Sequence, residues 1–353
     1  MTRLHTGTGT DVTVGVPAEA SSRSPSPASV LLLYGVHPEW EPDEQHRVAR
    51  EGRRLGAAIR RRGHRVRVLE IRGNHLVDTL APFDPAEAVV FNWCEFLPGV
   101  EGGEAEVADV LEQLGFAYTG APPETIRLSY DKPRVRALLE DNGVPVPCWA
   151  QYDAPGQVSW DIFPAIVKPA WEHCSIGVDR WSVVLNGDEL VQRIAHVIET
   201  YGQPALVEDF IDGREFHVPL WGNDAVEMLP PVEMDFSAFG DVRDRLCSYE
   251  SKFSPDSTSY RRIRSRIPAR LTAAERDELE EACRLAYRLV GCRDYGRIDV
   301  RQRDGRMYVL DVNPNADLSA DASVALAANK AGFCYGAMGS RLLEWAQNRA
   351  PHQ

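Results

Sequence analysis

Oxygen-bearing side chains interrupt two apolar segments near the carboxyl end of this 353-residue chain. Asp299 lies in the first segment, and Asp311 and Asn313 lie in the second, beyond the dipeptide Asp304-Gly305. Asp-Gly is a common hairpin turn, so we expect the two segments to pair. A strict two-residue turn would place the two aspartates on opposite faces. A three-residue turn with its glycine in the left-handed region would instead pair Arg297 with Asp311 and bring all four side chains to one face.

Three oxygen donors on one surface suit Mg²⁺, a hard cation that binds few carboxylates and completes its shell with water and phosphate oxygens. The alternative is a solvated strand face without a metal. Aspartate is depleted in strands, which weakens that alternative without removing it.

The lysines are the second set of residues with a chemical interpretation. Of 39 basic residues, 35 are arginine. Lys168 ends an apolar strand, Lys132 follows Asp131 within a helix, and Lys252 lies in a long polar stretch where a mobile lid is expected. A compact ammonium suits phosphate, and together with the magnesium face these lysines predict a nucleoside triphosphate site without a P-loop. Lys330, the fourth lysine, has no assignment.

The first third of the chain predicts alternating strands and helices. Predicted strands cover 29–35, 64–71 and 88–92, and predicted helices cover about 43–62 and about 104–114. Nearly continuous apolar strands that alternate with helices indicate a parallel sheet covered on both faces. Residues 1–28 are rich in Thr, Ser, Gly and Pro and predict a disordered tail.

A different pattern begins at residue 125. Predicted helices cover 125–142, 187–201 and 272–290, and predicted strands cover 163–169, 175–185, 204–211 and 215–221. Asp212-Gly213 predicts a hairpin between the last two strands. The helix at 272–290 leads to the hairpin that carries Asp299.

Composition excludes several classes of protein. A net charge of −13 argues against a nucleic-acid binder. The longest apolar run, 28–36, is far shorter than the roughly 20 residues that span a bilayer. Seven scattered cysteines without a CxxC motif indicate reduced thiols in a cytoplasm, neither a disulfide framework nor a zinc site.

Six segments in a fixed order carry a resemblance to a known family: Tyr118-Thr119-Gly120, Asp131-Lys132, 166–169, 208–215, Arg297-Ile298-Asp299 and 311–315. Together they resemble the ATP-grasp carboxylate–amine ligases, specifically the D-alanine–D-alanine ligase-like branch, over about residues 30–345. The resemblance implies an α/β ATP-grasp fold with a Rossmann-like N-terminal domain at 29–122. Two grasp subdomains are then expected at 123–206 and 207–353, the second with the metal site.

The resemblance also implies an ATP site. Its residues would be Lys132, Lys168, Ser175, Glu208, Phe210, Ile211, Glu215 and Lys252. The Glu208 side chain and the backbone at Phe210-Ile211 would read adenine, and Glu215 would hold the ribose. The lysines would contact the phosphates, with Lys252 reaching the γ-phosphate.

The implied catalytic groups are Arg297 and Lys252. Asp299, Asp311 and Asn313 would ligate two Mg²⁺ ions, and Arg297 would stabilise the charge on the reacting carboxylate and on the tetrahedral intermediate. A carboxylate would attack the γ-phosphorus, and the acyl phosphate would meet an amine. Closure of the 237–262 stretch would keep water away from that intermediate.

Three positions depart from the family pattern. Asp311 stands where the family usually has glutamate, Cys174 replaces a serine, and Phe253 replaces a tyrosine. In true D-alanine ligases that serine and tyrosine form a hydrogen-bonded set with an N-terminal glutamate, for which Glu44 is the candidate by spacing. These departures predict a substrate other than the D-alanine of the cell wall.

Two further residues are candidates for the pocket of the first substrate. Asn92 and Glu95 lie at the carboxyl end of a predicted parallel strand, where α/β sheets place ligands.

The leading hypothesis is a ligase that joins two small amino-acid-like substrates through an amide bond, with no nucleic-acid or membrane partner. One alternative passes the acyl phosphate to a hydroxyl or to a carrier-protein thiol. Another is a nucleotide-binding regulator without turnover, which the complete set of lysines and carboxylates disfavours. A homodimer is expected from the resemblance alone.

Overall fold

The computed structural model describes residues 29–100, 103–156, 158–254 and 256–349, so the predicted tail at 1–28 lies outside the described residues. The N-terminal sheet has four parallel strands in the order β2-β1-β3-β4. These are β1 (Ser29–Gly35), β2 (Val66–Ile71), β3 (Ala88–Trp93) and β4 (Ala117–Tyr118). The accompanying helices are α1 (Pro42–Arg60), α2 (Leu76–Leu80) and α3 (Gly103–Gln113). The predicted parallel α/β arrangement is confirmed.

Two helices, α4 (Pro123–Tyr130) and α5 (Lys132–Asp141), replace the single helix predicted over 125–142. The chain leaves the helical region at Asp131, because Pro133 lacks an N–H and its ring clashes with a preceding helical turn. The Asp131 carboxylate accepts a hydrogen bond from the backbone N–H of Arg134 and so caps α5. Lys132 therefore begins a helix.

The central sheet is antiparallel, with the order β5-β8-β6-β7. Its strands are β5 (Trp149–Tyr152), β6 (Ala165–Pro169), β7 (Val183–Val184) and β8 (Ala205–Asp209), and α6 (Gly187–Tyr201) packs on it. The strand predicted over 175–185 is wrong except for β7. Cys174 and Ser175 have φ of 54° and 62°, so the chain forms a loop before a short 3₁₀ turn at Arg180–Ser182.

The six-stranded C-terminal sheet has the order β12-β11-β9-β13-β14, and β10 pairs with β9. Its strands are β9 (Arg214–Trp221), β10 (Glu227–Met228), β11 (Val232–Asp235), β12 (Arg264–Arg266), β13 (Tyr295–Arg303) and β14 (Arg306–Asn313). The remaining helices are α7 (Tyr249–Phe253), α8 (Thr258–Arg262), α9 (Ala273–Val290), α10 (Ser323–Lys330) and α11 (Tyr335–Arg349). In the described part of the chain, no helix combines the length and the apolar content needed to cross a membrane.

The hairpin predicted at Asp212-Gly213 is wrong, because β8 and β9 belong to different sheets. β8 pairs with β5 and β6, whereas β9 pairs with β11 and β13. A Cβ on Gly213 would lie 1.8 Å from the Gln302 carbonyl oxygen, so this dipeptide passes close to β13 as it connects the two sheets.

Gly120 ties the N-terminal sheet to the rest of the molecule. Its φ is +98°, and its backbone N–H donates to the buried Asp294 carboxylate at 2.9 Å. A Cβ there would lie 2.5 Å from the Asn315 Oδ1 atom, which accepts the Ala121 N–H. The Tyr118-Thr119-Gly120 motif is thereby explained as a close junction with the chain that follows β14.

Candidate active site

A cavity of about 600 Å³ opens between the central and C-terminal sheets and reaches the N-terminal loops. It collects most of the residues predicted from sequence. The predicted residues that line it are Glu95, Lys132, Lys168, Cys174, Ser175, Glu208, Phe210, Ile211, Glu215, Arg297, Asp299, Asp311 and Asn313.

Two predicted residues lie elsewhere. Glu44 lies in the first turn of α1 and pairs with Arg47 at 3.5 Å, and Arg47, not Glu44, lines the cavity. Asn92 is buried in β3, and its Oδ1 atom accepts the backbone N–H of Cys94 at 3.2 Å. The side chains of Lys252 and Phe253, in α7, lie outside the described residues.

The pairing of β13 with β14 brings Arg297, Asp299, Asp311 and Asn313 to one face, here called the metal face. The turn that produces this pairing differs from the predicted one. Asp304 and Gly305 both have positive φ (53° and 78°), as in a two-residue type I′ turn. Next to that turn Arg303 pairs with Arg306, but a β-bulge at Leu310 shifts the register, so Asp299 lies directly opposite Asp311. The predicted three-residue turn is wrong, whereas the shared face is confirmed.

Each aspartate of this face has a cationic partner. Arg297 donates two hydrogen bonds to Asp299, at 2.6 and 2.9 Å, and the pKa of Arg297 is raised by Asp299 against the effect of burial. Asn313 lies opposite Arg297, and its Nδ2 donates to the Arg297 carbonyl oxygen. Burial alone would raise the pKa of Asp311, but Lys132 and Lys168 hold it well below its usual value.

A buried ion network lies beside the metal face. Glu208 accepts a charge-assisted hydrogen bond from Lys168 Nζ at 2.7 Å and another from Arg136 Nε. Arg136 is fully buried, and its Nη2 donates to the carbonyl oxygen of the bulge residue Leu310. Although burial opposes it, these two cations hold the pKa of Glu208 below its usual value. Sequence reasoning missed Arg136, whose one local signal is its spacing of four residues from Lys132 on α5.

Lys132 is almost completely buried at the N-terminus of α5, and its ammonium donates to the Glu172 carbonyl oxygen. Burial lowers its pKa to about 8, despite the opposing charge of Asp311. With this pKa the Lys132 ammonium is still mostly protonated at neutral pH, and a bound anion would raise its pKa again.

A second network holds Glu215. Its Oε2 atom accepts from Arg301 Nε at 2.7 Å, and its Oε1 atom lies 3.4 Å from His217 Nε2. Arg301 also donates to the Ile211 carbonyl oxygen at 3.0 Å and lies over the Phe210 ring, 4.6 Å from its centroid. Arg301 was missed because an arginine in a strand carries no local sign of burial.

Carboxyl groups dominate the end of the cavity nearest the N-terminal sheet. Burial raises the pKa of Glu95 to about 8, with further contributions from Asp317 and Glu104. Burial also raises the pKa of Glu104 to about 7. The His173 ring packs against the Tyr130 ring, tilted by 59° with the centroids 4.0 Å apart, and the adjoining Cys174 lines the cavity.

Comparisons with known proteins agree with this fold and site. The model of the D-ala D-ala ligase C-terminus matches residues 149–344, more than half of the chain. An uncharacterized protein, y4sG, from Sinorhizobium fredii is 33% identical over 83% of this chain and 86% of its own. A D-alanine–D-alanine ligase from Alcanivorax borkumensis is 32% identical over 72% of this chain and 75% of its own.

Solved structures give the same result for the fold. The crystal structure of a D-alanine–D-alanine ligase from Bacillus anthracis complexed with ATP has a TM-score of 0.72 at 20% identity. That match covers 92% of this chain and 98% of the other. Fold and site together define an ATP-grasp enzyme, an ATP-dependent ligase. The chain belongs to the D-alanine–D-alanine ligase family.

Proposed function

We propose that this ligase activates an amino-acid-like carboxylate as an acyl phosphate and joins it to the amine of a second amino-acid-like substrate. We further propose that its product is not the cell-wall dipeptide D-alanyl-D-alanine. One observation carries the ligase chemistry: Lys132 and Lys168 line the same cavity as the oxygen donors Asp299, Asp311 and Asn313.

The nucleotide would lie between the two antiparallel sheets. Glu208 and the backbone at Phe210-Ile211 would bind adenine, supported by their position at the cavity end of β8. Glu215 would hold the ribose, in a carboxylate form that Arg301 and His217 maintain against burial. Ser175, whose Oγ donates to the Cys247 carbonyl oxygen, would cover the phosphates from the 174–177 loop.

The donor set fits magnesium. Two carboxylates and one amide oxygen on neighbouring strands leave room for water and phosphate oxygens, as this cation requires. Asp299, Asp311 and Asn313 would hold two Mg²⁺ ions, which when bound would neutralise charge on the transferred phosphoryl group. Asp311 has a shorter side chain than glutamate, and the bulge at Leu310 places it directly opposite Asp299 in the hairpin.

Cationic side chains of the protein would stabilise the remaining negative charge on the phosphates and on the intermediate. Lys168 and Lys252 would hold the phosphates while the substrate carboxylate attacks the γ-phosphorus and ADP leaves. The uncharged amine then adds to the acyl phosphate, and the tetrahedral intermediate loses a proton to solvent, expels phosphate and leaves the amide. Arg297 would stabilise the negative charge of that intermediate, because Asp299 keeps it protonated and oriented.

The substrate proposal rests on the residues that replace the family's hydroxyl groups. Cys174 lines the cavity where true D-alanine ligases have serine, and Phe253 replaces their tyrosine. Glu95 remains a proposed substrate contact, supported by its position in the cavity. Asn92 and Glu44 have weaker support, because neither lines it.

A phosphate-release screen tests the proposal. The full chain with ATP and Mg²⁺ is incubated with amino acids singly and in pairs, and products are identified by mass spectrometry. We expect ADP, phosphate and an amide product for at least one pair. An Asp311→Ala variant, which lacks a proposed metal ligand and whose folding is checked by circular dichroism, should release none.

Each outcome decides a part of the proposal. Turnover of D-alanine alone near a typical enzyme rate of about 10 per second would contradict the substrate proposal. An ester or thioester product would favour the hydroxyl or thiol acceptor. Absence of ADP release with every acid would contradict ligase chemistry with these substrates.

The predicted division into three domains, at 29–122, 123–206 and 207–353, also stands as a proposal except for its last boundary, and the presence of three sheets supports it. β8 belongs entirely to the central sheet, so we place the last boundary after Asp209. A cytoplasmic location and a homodimer remain predictions, which fractionation and light scattering can test.

A further inference from the structure

A second group of metal-ligating side chains lies in the cavity beside the magnesium face. Glu215 and His217 project from the same face of β9, two residues apart, and Cys247 approaches them from the segment before α7. One ligand atom from each lies within 4.8 Å of the other two. We propose that Glu215, His217 and Cys247 form a binding site for Zn²⁺, and that Zn²⁺ bound there excludes ATP.

The distances fit a tetrahedral site. Zinc binds oxygen and nitrogen at about 2.0 Å and sulfur at about 2.3 Å, so adjacent ligands lie roughly 3.3–3.6 Å apart. Glu215 Oε1 and His217 Nε2 are 3.4 Å apart. The Cys247 sulfur belongs to the same group, whose ligand atoms all lie within 4.8 Å of one another, so an adjustment of no more than about 1 Å would complete three protein ligands. The fourth position faces the cavity.

Both ligands on β9 have the outer-shell partners that metal ligands require. His217 Nδ1 lies 3.2 Å from Ser323 Oγ, which orients the ring with Nε2 toward Glu215. Arg301 Nε donates to the other carboxylate oxygen, Glu215 Oε2, at 2.7 Å. Hydrogen bonds of this kind, made by the atom that does not bind the metal, fix the tautomer of a ligating histidine and the orientation of a ligating carboxylate.

The chemistry of the ligands separates this site from the magnesium face. A thiolate and an imidazole favour zinc, whereas Mg²⁺ prefers oxygen donors and water. Binding converts the Cys247 thiol to a thiolate and releases its proton to solvent. Cys247 is 30 residues from His217 in the sequence, and the two meet only in the folded chain. For this reason no short metal-binding motif reveals the site in the sequence.

Competition with ATP rests on the proposed function, because it requires Glu215 to hold the ribose. One carboxylate cannot serve both ligands when its second oxygen is already held by Arg301. Zn²⁺ should therefore raise the KM for ATP without lowering the kcat at saturating ATP.

Cobalt substitution tests the site independently of any activity. Co²⁺ alone is added to the reduced full chain, and the thiolate-to-cobalt charge-transfer absorption is recorded. We expect a band in the wild type that Zn²⁺ abolishes, and none in Cys247→Ser. The exposed Cys334 provides the matched control, so Cys334→Ser should retain the band.

His217→Gln is a second variant, which should weaken Co²⁺ binding at least tenfold even if Cys247→Ser fails to fold. A band that persists in Cys247→Ser, or no band in the wild type, would overturn the metal site. A normal band with Zn²⁺ inhibition that ATP does not relieve would overturn the competition alone. Because the band needs no turnover, failure of the proposed ligase reaction leaves this result unaffected.

Discussion

Replacing Arg136 by methionine would test the buried ion network that sequence reasoning missed. Arg136 is 0% exposed, and Glu208, its partner, is 2% exposed. The substitution leaves Glu208 paired with Lys168, whose Nζ atom is 2.7 Å away, and it removes the guanidinium donor from the Leu310 carbonyl oxygen. Methionine keeps most of the buried volume, so the expected effect is mainly electrostatic.

The magnitude follows from the burial of both partners. Removing one member of a buried ion pair costs about 3–5 kcal/mol. The Leu310 carbonyl oxygen is only partly buried, so the loss of its guanidinium donor should add little. Because Lys168 still neutralises part of the Glu208 charge, we expect the free energy of unfolding to fall by about 3 kcal/mol, near the lower limit. We also expect weaker ATP binding, since Leu310 positions the bulge before Asp311.

Urea unfolding of the full chain measures the loss. Arg134→Met is the matched control: Arg134 is exposed on the same helix, so its replacement should change stability by less than about 0.5 kcal/mol. The double variant Arg136→Met/Glu208→Gln should be destabilised less than the sum of the single variants, because it no longer buries the Glu208 charge without its guanidinium partner. A loss below about 1 kcal/mol for Arg136→Met, or strict additivity, would refute the reasoning.

Three further predictions concern the phosphates and the domain junction. Lys168→Arg and Lys252→Arg should each lower kcat/KM for ATP by about a hundredfold in an ADP-release assay, because a planar guanidinium cannot replace a compact ammonium. Near-normal rates in both variants would show that these lysines do not contact the phosphates. ATP affinity, measured by calorimetry, should fall above about pH 8. Without ligand, burial lowers the pKa of Lys132 to about 8, and bound phosphate should raise that pKa. Above about pH 8, ATP binding therefore requires Lys132 to take up a proton, which weakens it. A constant affinity from about pH 7 to pH 9.5 would contradict this linkage. Gly120→Ala should destabilise the chain by about 1–3 kcal/mol, because its φ is +98° and a Cβ would meet Asn315; an unchanged melting temperature would contradict the strain.

Much of the fold could be predicted because its signals are local. α6 was predicted at 187–201 and spans Gly187–Tyr201, and α9 was predicted at 272–290 and spans Ala273–Val290. In both cases an amphipathic period is bounded by a capping side chain and a left-handed glycine. The predicted strand at 175–185 failed because its apolar residues follow a loop of left-handed residues that no periodicity reveals.

Which strands pair with each other could not be predicted from local sequence patterns. The Asp-Gly dipeptides at 212–213 and 304–305 are identical in sequence, yet only the second closes a hairpin. The bulge at Leu310 is equally hidden, because it depends on how β13 and β14 both pack in the sheet. The prediction therefore named the correct side chains for the metal face but the wrong turn between the two strands.

By itself, the sequence determined the order of the elements, the family and the set of lysines and carboxylates in the cavity, because these follow from motif order and local hydrophobic period. Only the tertiary structure decided that Arg136 meets Glu208 across 72 residues and the Leu310 carbonyl across 174. It also placed Asn92 and Glu44 away from the cavity. Such contacts are decided when sheets assemble, since burial and charge pairing between distant segments leave no trace in the spacing of neighbouring residues.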